Sequence, residues 1–140
     1  MLRLTILNRL NSLCATAPFS WTQSVSPFDF THQPSTNIDE VFRVELEGKT
    51  PHVVGGFNFS EERTEVFLVW VARLLNADPQ AAYRLLTTDV TSLTSAITRD
   101  GAGAGDYAVL DGAGATIDHK KGDEFAVARL ALPINYETTL

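Results

Sequence analysis

Residues 65–74 read EVFLVWVARL, and their reading decides the fold. In an extended chain Val66, Leu68, Trp70, Ala72 and Leu74 fall on one side and Phe67, Val69 and Val71 on the other, until Arg73. A short helix is the competing reading, but the β-branched and aromatic content favours a strand. A strand apolar on both sides belongs in the middle of a sheet, or has its second face covered by another element or another chain. Residues 124–136, EFAVARLALPINY, repeat the pattern. Ala126, Ala128, Leu130, Leu132, Ile134 and Tyr136 share one side, and Phe125, Val127, Arg129 and Ala131 the other. Pro133 lacks a backbone donor, which suits a sheet edge or a strand end.

Working outward, VFRVELE (41–47) alternates as a strand with one wet face. HVVGGFNF (52–59) is a further strand in which Gly55-Gly56 signals a turn, a bulge or a break, and SEER (60–63) follows as a polar turn. Asp78-Pro79 is a helix start, with Asp as cap and Pro in the first turn. Ala82, Leu85, Leu86, Val90, Leu93, Ala96 and Ile97 then recur at helical spacing, with Arg99 near the end and Gly101 just past it. Thr87-Thr88-Asp89 is poor helix material and marks a place for a kink. In YAVLDGAGATIDH (107–119), Asp111-Gly112 signals a hairpin, and KKGDE (120–124) a second turn. Leu2, Ile6, Leu10 and Leu13 give a first amphipathic helix. A targeting segment fits less well there, because Asn8, Arg9 and Asn11 interrupt the apolar stretch. Between the first helix and the first strand, about residues 17–38 form a proline-containing arm with Phe19, Trp21, Phe28 and Phe30. The expectation is a single α+β domain over 1–140: a largely antiparallel sheet, with an N-terminal helix and one main helix packed on one face.

Composition narrows the function. A chain of 140 residues with 44% hydrophobic and 20% charged residues is ordinary for one globular domain. A formal charge of −6 argues against a general nucleic-acid binder, which needs a basic surface. Cys14 is the single cysteine, so no disulfide can form within the chain. No apolar run approaches the ~20 residues of a membrane span.

The motifs do not point to catalysis. GAGAG (101–105) follows a helix and leads into strands, the reverse of a phosphate loop, and GAGA (112–115) lies in a turn. His32, His52 and His119 lie far apart, with no His or Cys at metal-ligand spacing. Asn58-Phe59-Ser60 is a formal glycosylation sequon without an export signal to support it. The reading assigns no catalytic residue, metal or cofactor. The residues singled out for subunit or partner contact are the arm aromatics Phe19, Trp21, Phe28 and Phe30, and the charged turn residues Glu61, Glu62, Arg63, Lys120 and Lys121.

The arrangement resembles the tail terminator (tail completion) proteins of long-tailed bacteriophages, the lambda-type minor tail protein family. The features that carry the likeness are LTILNRLNSL (4–13), VFRVELE after a loop, RTEVFLVWVARLLN (63–76), DPQAAYRLLTTDVTSLTSAITR (78–99), and a last strand ending Tyr136-Glu137 near the C-terminus. The resemblance implies a structural virion protein at the head–tail junction, assembled in the host cytoplasm. Six copies would form a ring that caps the tail tube, stops its polymerisation and meets the head connector or stopper protein. DNA would cross the lumen without specific binding. The alternatives are another head–tail joining protein, such as a stopper, a tail-tube subunit, or a small α+β enzyme with a pocket between helix and sheet.

Overall fold

The computed structural model describes residues 3–23, 40–57, 59–75, 78–118 and 125–139. In chain order the elements are α1 (Arg3–Ala15), β1 (Thr22–Gln23), β2 (Val41–Leu46), β3 (His52–Phe57), β4 (Ser60–Leu74), α2 (Pro79–Ala104), β5 (Tyr107–Val109), β6 (Gly114–Asp118) and β7 (Phe125–Thr139). This is the α+β fold read from the sequence, with a mostly antiparallel sheet, an N-terminal helix and one main helix.

The spine is a ladder of two 15-residue strands, β4 and β7, paired from Ser60↔Thr139 to Leu74↔Phe125. Each long strand is flanked on its outer side by a strand in two pieces. β2 lies beside residues 67–72 of β4 and β3 beside residues 60–64. β6 lies beside residues 127–131 of β7 and β5 beside residues 134–136. Both interruptions fall at the level where Val66 pairs with Pro133. The Pro133 carbonyl accepts from the Leu110 N–H at 2.8 Å, so its donor-less nitrogen also faces the β5–β6 side, where a continuous strand would need a bond. The Val66 carbonyl accepts from the Glu47 N–H on the opposite flank.

Several local expectations are corrected here. Residues 60–63 are not a turn but the first residues of β4, extended by the β3–β4 hairpin. Asp111-Gly112 turns the chain, with Gly112 at φ 100, but β5 and β6 do not pair with each other; both add to β7. Pro133 sits in mid-strand rather than at a strand end. The glycine pair in β3 becomes a bulge between Val53 and Gly55.

The helix α2 starts as read: the Asp78 carboxylate accepts from the N–H groups of Gln80 and Ala81, with Pro79 in the first turn. It then runs unbroken through Thr87-Thr88-Asp89. Thr87, Thr91, Thr94 and Thr98 each donate their hydroxyl to the carbonyl four residues back, which satisfies these side chains inside the helix. Gly101 lies within the helix, and the chain leaves it at Gly105, whose φ of 69 is the left-handed cap a glycine takes without strain.

Both helices pack on one face of the sheet. Ile6, Leu10 and Cys14 of α1 and Ala82, Leu86, Leu93 and Ile97 of α2 join Phe42, Phe67, Val69, Val71, Leu130, Leu132 and Ile134 in one core. Full burial of each large aliphatic or aromatic side chain stabilises by about 1.5–3 kcal/mol. Tyr136 completes this face and meets the Phe67 ring edge-on at 6.5 Å.

Candidate assembly surface

Charged struts fix the helices to the sheet. Glu65 is the one acid on the helix face of the β4 apolar run, and it is buried. Its carboxylate accepts from Arg3 Nε at 2.8 Å and from the Tyr136 hydroxyl at 2.7 Å. At the far end of the face, Arg73 makes a two-pronged bond to Asp89 of α2, at 2.8 and 2.9 Å. Arg9 of α1 bridges to Asp100, at 2.9 Å, and to Asp106, with its guanidinium over the Tyr107 ring. The Tyr107 hydroxyl donates to Asp100 at 2.7 Å. Burial, and then this bond to a carboxylate, push the Tyr107 hydroxyl well above its ordinary pKa. Burial and the Glu65 bond act on Tyr136 in the same direction. Burial alone pushes the Cys14 thiol up to about 12, in keeping with its packing as an apolar group in the core.

Among the described residues no helix packs on the other face of the sheet. Val66, Leu68, Trp70, Ala72 and Leu74 of β4 line it, with Phe125, Val127, Ala131 and Pro133 of β7. Leu68, Ala72 and Phe125 are buried within this band, and Val66, Val127, Ala131 and Pro133 are half-buried. One polar row crosses it. Arg43, Trp70 and Arg129 are directly opposed on neighbouring strands. The Trp70 Nε1–H donates to Glu45 at 2.7 Å, and the Arg129 guanidinium lies over the indole at 5.7 Å.

The sheet edges are the third feature. Val53 and Val54 on β3 are 51% and 55% exposed, and Phe59 at the tip of the β3–β4 hairpin is 78% exposed. On the opposite flank β6 is exposed along most of its length. The residues singled out from sequence fall differently. Trp21 is buried in the core of its own chain, with its backbone N–H bonded to the Cys14 carbonyl. Phe19 packs beside it, ring centroids 4.7 Å apart. Glu61 and Arg63 pair with each other at 2.7 Å near the start of β4, and Glu62 accepts from Asn135 across the ladder. Phe28, Phe30, Lys120 and Lys121 lie outside the described residues. Sequence reading did not single out Val53, Val54 or Phe59; the available signal was an apolar pair beside Gly55-Gly56, in a strand that glycine and a bulge mark as an edge.

An open cleft of about 430 Å³ lies where α2 ends, lined by Glu62, Gly101, Asp106, Tyr107, Asn135 and Glu137 among others. The nearby tyrosine hydroxyls are already committed to Asp100 and Glu65. Among the described residues no group of His, Cys, Asp and Glu is arranged to hold a metal ion. Among the described residues no helix is long and apolar enough to cross a membrane. No protein-family model matches the chain, and a search of curated proteins found no match.

Proposed function

We propose that the chain is a tail terminator of a long-tailed bacteriophage: a structural subunit that closes into a ring on the finished tail tube. The observation that carries this reading is the one-sided packing of the sheet. Both helices cover one face, while the other bears a band of apolar side chains. Outer strands flank the ladder on both sides, and β3 and β6 among them are exposed along most of their length. A closed ring buries edges that would otherwise invite open-ended association. The order of elements carries the family likeness: a short helix, a long central strand, the capped helix after it and a long last strand. In this role the chain performs no catalysis. It recognises the end of the tube, blocks further addition, and offers its outer surface to the head connector.

The test is to add the purified protein, tagged with gold, to a preparation of its phage's polymerising tail-tube subunits. Gold at one end of each tube, with growth arrested in proportion to the protein added, is the expected result. Tubes that lengthen at their usual rate and carry no end label would contradict the reading. Incorporation along the tube wall would instead assign the chain to the tube itself.

A further inference from the structure

We propose that neighbouring copies join through β3 of one and β6 of the next, in a single antiparallel strand pairing. This rests on the ring reading and specifies its contact. The two edges lie on opposite flanks of the sheet, β3 outside β4 and β6 outside β7. Each pairs with one strand only among the described residues, so the outer N–H and C=O groups of both are without a described ladder. Their senses also fit. β3 is antiparallel to β4, β4 to β7, and β7 to β6, so β3 and β6 run in opposite directions within one chain. Copies placed side by side in the same orientation therefore meet as an antiparallel pair.

Length and side chains agree with that pairing. β3 has 6 residues and β6 has 5. Setting His52 opposite Asp118 puts Val53 opposite Ile117, and past the bulge at Val54 the register shifts by one, so that Gly55 falls near Thr116. The exposed His52 and Asp118 are then opposed at one end, and the exposed Val54 lies beside the exposed Thr116. Pairing β3 with another β3 would stop at a dimer and leave β6 bare. The head-to-tail contact covers both edges and repeats around a ring.

The contact also fixes how the sheet stands in the ring. β3 lies beside residues 60–64 of β4, whereas β6 lies beside residues that the ladder sets opposite 68–72. That is a displacement of about eight residues, or roughly 26 Å at ~3.3 Å per residue, between one copy's strands and the next. The ring closes only with its strands set oblique to the axis, as strands are in closed barrels.

Cysteine pairs test this in the full chain, since Cys14 is buried and stays silent. Val54→Cys combined with Thr116→Cys, and separately with Ala115→Cys to cover the adjacent register, are oxidised with copper phenanthroline and run without reductant. The expected result is a ladder of linked oligomers ending at the copy number of the ring, absent from each single variant. A linked dimer from Val54→Cys alone would show β3 pairing with itself and overturn the proposal. Rings seen by light scattering that never cross-link would remove this contact and leave the ring reading intact. A monomer throughout would remove both.

Discussion

Glu65 shows what a single residue can hide in a sequence. It reads as the polar start of an apolar run, yet it is buried, and its partners Arg3 and Tyr136 lie 62 and 71 residues away. Only the fold brings them together. Removing the Tyr136 hydroxyl leaves a buried carboxylate short of a donor, at a cost of about 1–3 kcal/mol. Tyr136→Phe is therefore expected to lower the urea midpoint clearly while the far-ultraviolet circular dichroism stays unchanged. Cys14 makes a second prediction. Burial raises its thiol from an ordinary 9.0 to about 12. Between those values the unfolded chain loses the thiol proton and the folded chain keeps it. This contribution is intact below about pH 9 and is lost as pH rises toward about 12, by roughly 1.4 kcal/mol per pH unit. The raised Tyr107 acts in the same direction at alkaline pH. Urea midpoints measured at pH 8 and pH 10.5 check the fall, and Cys14→Ala should flatten part of it. At pH 8 the native thiol should also react far more slowly with a disulfide reagent than the unfolded one.

At the scale of elements, most of the fold was legible because hydrophobic period and capping chemistry are local. Asp78-Pro79 named the start of α2 correctly, and the alternation of residues 124–136 named β7. What escaped was non-local. Asp111-Gly112 looks like a hairpin turn, but β5 and β6 follow one edge of β7, because Pro133 removes the donor that a continuous strand would use there. Gly101 looked like a helix stop, yet it is a contact. A Cβ at this position would meet the Tyr107 carbonyl oxygen at 2.5 Å and the Tyr107 ring at 2.6 Å. Gly101→Ala is expected to cost about 1–3 kcal/mol through overpacking, despite the better helix propensity of alanine. Asp78→Ala, which removes the cap, should cost about 1 kcal/mol. Chemical denaturation of both variants checks these values, and a stabilised Gly101→Ala protein would refute the close contact.

Across the whole molecule, the site was less legible than the fold. Aromatic residues in a loop mark a surface for a partner or a piece of the parent core, and sequence does not say which. Trp21 is in the core, 4% exposed, so Trp21→Ala should cost about 3–5 kcal/mol in the isolated chain. Phe59 is 78% exposed, and Phe59→Ser should leave monomer stability within about 0.5 kcal/mol. The edges that matter to the assembly reading are set by strand order, which no local pattern encodes. The described residues give a helix-covered face, an apolar opposite face and two outer strands, β3 and β6, of opposite sense. The most direct measurement is the protein's mass in solution by multi-angle light scattering, with negative-stain images of the same peak. The account predicts one closed species, a ring near six copies, that does not grow with concentration. A monomer at every concentration, or tubes that lengthen as the protein is concentrated, would contradict it.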